Sequence, residues 1–257
     1  MLLRCDTSIA DRYISQAQKS RVLSEKWIES NGYCLSCESD VLRRSSANTK
    51  ATDFACPRCE QNYELKAFRI KPKNTLVDGA YGALMGRILD GTVPTLMMLE
   101  RNEQWEIQSL TAIHHLFLTP DVVVQRKPLS PDARRAGWIG CNIRLDRLAS
   151  DAQIEVISSG VFNNRSLVRG AYRRFGNLNK ISPDKRGWTT LTLGIIRDLR
   201  REAFTLNDIY GKEGQFARVY PENRNVRPRG CHQIGYMQGG DQSVVLHYGS
   251  ASLRVTG

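Results

Sequence analysis

Four of the seven cysteines in the sequence form two pairs with the spacing of metal-binding knuckles. Cys34 and Cys37 form one C-x2-C pair, Cys56 and Cys59 form the other, and 18 residues lie between them. A two-residue gap lets both sulfurs of a pair reach one ion, and four thiolates complete the tetrahedral shell of Zn2+. The spacing predicts a structural zinc site within residues 33–60, with no coordination position open to water. Free or redox-active cysteines are the alternative.

Carboxylates and a lysine surround the second cysteine pair. Asp53 lies just before it, and Glu64 and Lys66 lie just after it. The alternating segment "NYELKAF" predicts a strand over residues 62–68, which places Glu64 and Lys66 on one face. If residues 52–55 form the neighbouring strand of a hairpin whose tip is the knuckle, Asp53 lies beside Glu64.

This D-x10-E-x-K arrangement suits phosphodiester hydrolysis. Two carboxylates hold a hard cation such as Mg2+, with waters and a phosphate oxygen completing its shell. A lysine supplies positive charge to the transition state, or orients and deprotonates the attacking water. The pattern also occurs by chance, so solvated charges on an exposed strand are the alternative.

The composition of the chain indicates the class of protein that contains these sites. The chain has 257 residues, of which 41% are apolar and 25% charged, as in one large or two smaller globular domains. The net charge of +11, from 37 Lys and Arg against 26 Asp and Glu, favours a polyanionic partner, nucleic acid before membrane surface. The absence of a long apolar run or signal peptide predicts a cytoplasmic protein without membrane contact. An odd number of cysteines in such a protein argues against a disulfide framework.

The elements that must position these residues are mixed, which predicts an α/β fold. Residues 8–31 have helical periodicity and end at Gly32, and residues 78–91 contain a short helix. Further strands are predicted in "PTLMMLE", "QWEIQSL", "GWIGCNIRL" and "AQIEVIS". The segment "NNRSLVRGAYRRFGNL" is helical and basic.

The polar stretch "ISPDKRG", residues 181–187, predicts a boundary between domains 1–182 and 183–257. Beyond it, "WTTLTLGIIRDLRR" is helical, a second helical segment starts from the N-cap Thr205, and a third is predicted in "VRPRGCHQIGYMQ". Two strands in "SVVLHYGSASLRV" close this region. Three helices and a hairpin are typical of a winged helix-turn-helix, whose third helix enters the major groove. A generic α+β cap packed on the first domain is the alternative.

Several sequence segments within residues 10–210 resemble those of a known family and occur in the same order. They are "SQAQKSRVLSEKW", "YCLSC", "TDFACPRCEQNYELK", "DGAYGALMGR", "QRKPLSPDARRAGWIGCNI", "RGWT" and "FTLNDIY". The chain resembles the DpnI-type methyl-directed (type IIM) restriction endonucleases, including the Dam-replacing proteins. The resemblance implies a PD-(D/E)xK nuclease core with an inserted four-cysteine zinc site, followed by a winged helix domain. It implies Mg2+-dependent cleavage of double-stranded DNA at GATC sites whose adenine is N6-methylated.

The resemblance also implies roles for single residues. Asp53, Glu64 and the backbone carbonyl of Leu65 would bind Mg2+, and Lys66 would be the catalytic lysine. The two cysteine pairs would hold Zn2+. Trp138 would wedge into the DNA beside the methylated bases.

Independently of the resemblance, the segment around Trp138 has the composition of a DNA-binding loop. The basic residues near it are Arg126, Lys127, Arg134, Arg135 and Arg144. A basic loop with one aromatic suits phosphate contacts together with stacking or intercalation. The alternative is that Trp138 begins a strand and belongs to the core.

The predicted recognition helix, residues 226–239, departs from the family pattern because it contains Pro228, Gly230 and Gly235. Within it, the residues predicted to face DNA are Arg229, His232 and Gln233. A monomeric enzyme is expected. Its rivals are a catalytically inactive, zinc-containing DNA-binding regulator and a nuclease with altered specificity.

Overall fold

The computed structural model describes residues 3–46, 52–200, 203–220, 244–248 and 251–255. The chain forms two compact units. The first comprises Met1–Lys73, Thr92–His115 and Ala152–Phe175, and the second comprises Asn74–Gly91, Leu116–Asp151 and Gly176–Gly257.

The helices and strands are numbered in chain order. The helices are α1 (Gln16–Asn31), α2 (Tyr81–Leu89), α3 (Arg165–Arg173), α4 (Pro183–Asp198), α5 (Leu206–Tyr210) and α6 (Glu213–Val219). The strands are β1 (Arg43–Arg44), β2 (Phe54–Ala55), β3 (Asn62–Phe68), β4 (Thr75–Ala80), β5 (Thr95–Arg101), β6 (Ile107–Ile113), β7 (Val123–Gln125), β8 (Gly140–Arg144), β9 (Gln153–Ser158), β10 (Val161–Phe162), β11 (Ala203–Phe204), β12 (Val244–Tyr248) and β13 (Ala251–Val255). The mixed α/β class predicted from the sequence is confirmed.

The first unit is built on a seven-stranded sheet with the order β1-β2-β3-β5-β6-β9-β10. Strands β3 and β5 are parallel, and the other neighbours are antiparallel. Paired residues of neighbouring strands share a face, and successive residues alternate between faces. The registers therefore define two faces around the central strands.

One face, here called the helix face, carries Phe54, Tyr63, Thr95 and Met97. Helix α1 packs on β3, and its Trp27 lines a small apolar cavity together with Met97. Helix α3 lies on the same face, where the Tyr172 hydroxyl is hydrogen-bonded to Thr95 Oγ1. The opposite face, here called the carboxylate face, carries Asp53, Glu64, Lys66, Leu96 and Met98.

Local signals explain the main elements of this unit. Helix α1 follows the N-cap Ser15 and ends at Gly32, and it buries Leu23, Trp27 and Ile28 along one side. The strand predicted in "QWEIQSL" starts later, at β6, because Trp105 takes a positive φ of 61° in the turn before it.

The second unit contains the antiparallel sheet β4-β8-β7, with α2 against β4 and β7. Helix α4 begins inside the predicted boundary stretch, because Ser182 is its N-cap and Pro183 suits its first turn. Trp188 of α4 stacks on Tyr220 with ring centroids 4.3 Å apart. A Cβ at Gly187 would come within 2.1 Å of Asp121 Oδ2, so this close approach requires glycine.

The remaining predicted elements of this unit are present where the structure describes them. Thr205 caps α5, and its Oγ1 accepts the N–H of Asp208 at 3.3 Å. Strands β12 and β13 pair as an antiparallel hairpin, as predicted, and β13 also pairs with β11. The predicted recognition helix at 226–239 lies outside the described residues. Within those residues, the chain has no helix both long and apolar enough to span a bilayer.

Candidate metal centres

The second cysteine pair lies at the tip of the predicted hairpin. Strands β2 and β3 are antiparallel neighbours, with Phe54 opposite Tyr63. The pairing extends one residue further, because the N–H of Asp53 donates to the Tyr63 carbonyl at 2.9 Å. At the tip, the N–H of Cys56 donates to the Gln61 carbonyl at 2.9 Å. The expected hairpin is confirmed.

This hairpin brings Asp53 together with the two charged residues of β3. Asp53 Oδ2 accepts the N–H of Leu65 at 2.7 Å. Lys66 Nζ lies 2.7 Å from Glu64 Oε1, and the two side chains are 25% and 13% exposed. Carboxylates and backbone carbonyls are the oxygen donors that a hard cation such as Mg2+ prefers. The limited exposure strengthens the electrostatic interactions of this group.

The four clustered cysteines also come together. Their sulfurs all lie within 4.8 Å of one another. The Sγ atoms of Cys34 and Cys59 are 3.5 Å apart, and so are those of Cys37 and Cys56. A tetrahedral site with Zn–S bonds of about 2.3 Å has edges of about 3.8 Å, so the cluster fits zinc with little adjustment.

Backbone N–H groups support the sulfurs. Cys37 N–H points to Cys34 Sγ, Ser39 N–H to Cys37 Sγ and Arg58 N–H to Cys56 Sγ, each at 3.4 Å. Burial raises the pKa of the Cys34 thiol to about 12, against a lowering effect of the Tyr63 hydroxyl.

The pKa of Cys56 is shifted in the opposite direction to that of Cys34. Burial acts to raise its pKa, but the backbone N–H groups of Cys59 and Arg58 and the side chains of Cys37 and Cys34 together outweigh burial and lower the pKa to about 6. Donors of this kind stabilise thiolates, which are the form that binds metal.

An arginine of helix α3 fixes the first knuckle, and sequence reasoning did not find it. Arg169 is only 7% exposed. Its Nε donates to the Cys34 carbonyl at 3.1 Å, its Nη2 donates to the Ser39 carbonyl at 2.9 Å, and its Nη1 pairs with Glu38 at 2.7 Å. Arg173, one turn later, donates from Nε to the Ser36 carbonyl at 2.9 Å.

A sequence signal for this contact does exist. Arg165, Arg169 and Arg173 recur every four residues, so they lie along one side of the basic helix. Arg165 joins the same contact through Asp40 at 2.8 Å. The acidic partners of this row, Glu38 and Asp40, follow the first cysteine pair directly.

The basic segment of the second unit is a closed loop between β7 and β8. Arg126 N–H donates to the Gly140 carbonyl at 2.9 Å, and Leu129 N–H donates to the Trp138 carbonyl at 3.0 Å. Four predicted DNA contacts are exposed on this loop: Arg126, Lys127, Arg134 and Arg135.

Trp138 packs on its own hairpin. Its side chain is half-buried, and the Arg135 guanidinium lies 4.9 Å from the ring centroid. A Cβ at Gly140 would be 2.8 Å from the indole, so glycine at this position leaves room for the ring. Trp138 therefore precedes the strand and keeps part of its surface in solvent. Arg229, His232 and Gln233 lie outside the described residues.

Comparison with protein families gives two matches. The model described as DpnI, the Dam-replacing family, matches residues 1–181. The model described as the Dam-replacing HTH domain matches residues 184–245. These matches confirm the resemblance expected from the sequence and assign a helix-turn-helix domain to the C-terminal region. The chain belongs to the Dam-replacing family.

Proposed function

We propose that this protein is a modification-dependent type II restriction endonuclease. It would hydrolyse phosphodiester bonds in double-stranded DNA at GATC sites whose adenine is N6-methylated, with Mg2+ as cofactor. The observation that carries the proposal is the hairpin in which Asp53 lies against the Glu64–Lys66 strand. Membership of the Dam-replacing family and a helix-turn-helix domain support restriction and DNA binding.

The carboxylate face would be a PD-(D/E)xK catalytic site. Asp53, Glu64 and the Leu65 carbonyl would hold Mg2+, which when bound polarises the scissile phosphate and acidifies a water. The contact from Leu65 N–H to Asp53 Oδ2 holds that carboxylate in one orientation. A carboxylate held in this way would lower the reorganisation that the reaction requires.

Lys66 would act on the reacting groups. Its ammonium, beside Glu64, orients the attacking water and offsets negative charge that develops on the phosphate. The water oxygen forms a bond to phosphorus, the bond to the leaving oxygen breaks, and one proton leaves the water. That proton would pass to solvent water, and the leaving oxygen would take a proton from a second water, so the products are a phosphate monoester and an alcohol.

The cysteine cluster would hold a structural zinc ion. Cys34, Cys37, Cys56 and Cys59 use all four positions of a tetrahedral ion, so zinc would contribute folding energy rather than an activated water. Its effect on catalysis would pass through the hairpin, whose tip contains Cys56 and Cys59.

DNA binding would use the basic loop and the helix-turn-helix domain. Arg126, Lys127, Arg134 and Arg135 would contact phosphates, which position the duplex without reading sequence. Trp138, seated on Gly140 with part of its ring exposed, would insert beside the methylated bases. The N6-methyl groups add apolar surface in the major groove, which an apolar pocket can read.

Plasmid cleavage tests the proposal. The protein and Mg2+ are incubated with one plasmid prepared with and without adenine methylation at GATC. Cleavage of the methylated plasmid alone is the expected result. Binding without cleavage would favour an inactive DNA-binding regulator, and equal cleavage of both plasmids would show that methylation does not direct the enzyme.

A further inference from the structure

Tyr63 contacts the cysteine cluster with its side chain and the carboxylate site with its main chain. Its side chain is fully buried. Its Oη lies 3.3 Å from Cys34 Sγ and accepts the N–H of Leu35 at 2.9 Å. Its carbonyl accepts the N–H of Asp53 at 2.9 Å. Tyr63 therefore contacts both candidate metal centres.

The direction of the hydroxyl hydrogen bond follows from these partners. A phenol has one hydrogen to donate and lone pairs to accept. Because Leu35 N–H already donates to Tyr63 Oη, the hydroxyl hydrogen is available for another acceptor. Among the described residues, Cys34 Sγ is the atom placed to receive it. Donors of this kind orient a metal ligand and adjust its basicity.

The backbone transmits this contact to the opposite face of the sheet. Tyr63 faces the first knuckle on the helix face, and Glu64, the next residue, lies on the carboxylate face. The same peptide segment is paired with Asp53, whose carboxylate reaches Leu65 N–H. A displacement of Tyr63 would therefore move the two carboxylates relative to each other.

We propose that Tyr63 is a positioning residue that couples the zinc centre to the carboxylate site. Its hydroxyl holds Cys34, and its main chain holds Asp53 in register with Glu64. The zinc part stands on the cysteine geometry alone. The part that concerns Mg2+ rests on the proposed function.

A pair of conservative substitutions separates this role from simple core packing. Tyr63→Phe keeps the ring and removes the oxygen that contacts sulfur. Tyr33→Phe is a matched control, because Tyr33 is also buried, precedes Cys34 directly, and its Oη has no hydrogen-bond partner among the described residues. Both substitutions remove one buried hydroxyl beside the same knuckle.

The first measurement follows the metal. Full-length protein loaded with Zn2+ is mixed with a chromophoric chelator, and Co2+-loaded protein is examined by absorption spectroscopy. Tyr63→Phe should release zinc at least about 10-fold faster than the wild type and shift the thiolate-to-cobalt charge-transfer band. Tyr33→Phe should match the wild type in both. Release rates and spectra equal to those of Tyr33→Phe would overturn the proposal.

The second measurement follows cleavage of methylated plasmid as Mg2+ is varied. Tyr63→Phe should raise the Mg2+ concentration for half-maximal rate by about 3- to 10-fold, while Tyr33→Phe leaves it unchanged. An unchanged Mg2+ requirement in a variant that releases zinc faster would contradict the coupling. If the wild type itself cuts no plasmid, the proposed function fails, and the zinc measurements still decide whether the Tyr63 hydroxyl supports Cys34.

Discussion

Lys66 and Glu64 form a contact of 2.7 Å on strand β3, against which helix α1 packs. This contact holds a positive charge beside the Glu64 carboxylate, on the sheet face that also carries Asp53. At this scale the site depends on a few side-chain orientations, which adjacent backbone groups fix. Single substitutions that preserve the strand therefore test chemistry rather than folding.

Replacing Lys66 by Met should remove the charge while keeping the length of the side chain. We expect cleavage of methylated plasmid to slow at least about 100-fold, because one preorganised charge is lost at the reacting phosphate. DNA affinity, measured by fluorescence anisotropy, should change little. Lys26→Met, at an exposed pair with Glu29 on α1, is the control and should cut normally. Normal cleavage by the Lys66 variant would exclude a catalytic role.

Short-range spacing was enough to predict one part of these sites. The four cysteines, and Asp53 opposite the Glu64–Lys66 strand, follow from knuckle spacing and strand alternation within one stretch of chain. Arg169 and Tyr63 were not found, because their roles depend on the approach of segments that are distant in sequence. Arg169 is 135 residues from the Cys34 carbonyl that it contacts.

At the scale of elements, the β2–β3 hairpin joins metal binding to strand register. Its turn carries Cys56 and Cys59, and its arms carry Asp53 and Glu64. Because side chains alternate with a period of two, slippage by one residue would move a carboxylate to the opposite face. A zinc ion at the tip would oppose that slippage.

Cys56→Ser should therefore lose both zinc and cleavage, although Cys56 lies in neither the carboxylate pair nor the lysine contact. We expect one zinc per wild-type chain, removed only slowly by EDTA, and much less than one in the variant by elemental analysis. The control variant Cys141→Ser changes a buried cysteine outside the cluster, so the protein should still contain one zinc per chain. Wild-type protein without zinc would refute the four-cysteine assignment.

The contacts between helix α3 and the first knuckle lead to a separate prediction about stability. Arg169→Ala should lower the free energy of unfolding by about 2–3 kcal/mol, because the carbonyls of Cys34 and Ser39 lose the buried guanidinium that donates to them. Arg173→Ala should cost less than about 1 kcal/mol, since its side chain is 43% exposed. Denaturant unfolding of the zinc-loaded protein measures both. Equal losses for the two variants would contradict a specific role for Arg169.

A sequence can show that this helix is basic, but its charge alone does not identify the partner. Arg165, Arg169 and Arg173 face acidic and carbonyl groups of the first knuckle. The exposed arginines of the β7–β8 loop are a better candidate for phosphate contacts. Burial and hydrogen-bond partners make the distinction, and both depend on tertiary structure.

At the scale of the whole molecule, the net charge of +11 should make DNA binding strongly dependent on salt. Replacing Arg126, Arg134 and Arg135 by Ala should reduce the slope of log affinity against log salt by about 2–3. A control that replaces Arg12, Lys19 and Lys26 removes the same charge elsewhere and should reduce it less. Anisotropy titrations at several salt concentrations measure the slopes, and equal slopes for the two triple variants would remove the loop from the interface.

The organisation of the molecule was only partly accessible to sequence reasoning. The two family matches cover contiguous ranges, whereas each compact unit is assembled from three separate segments. Local composition reports a change along the chain, such as the Pro/Gly-bearing stretch near residue 183. It carries no information on which distant segments pack together, because that depends on strand pairing and burial.

Asp53 is the residue on which the proposed metal-dependent nuclease site, directed to methylated DNA, depends most directly. The most direct measurement compares wild type, Asp53→Ala and the exposed-site control Asp11→Ala on a duplex with one methylated GATC, recording binding and Mg2+-dependent cleavage together. We predict that all three proteins bind with similar affinity, and that wild type and Asp11→Ala cut while Asp53→Ala does not. Cleavage by Asp53→Ala at a rate comparable to wild type would place Asp53 outside the catalytic site.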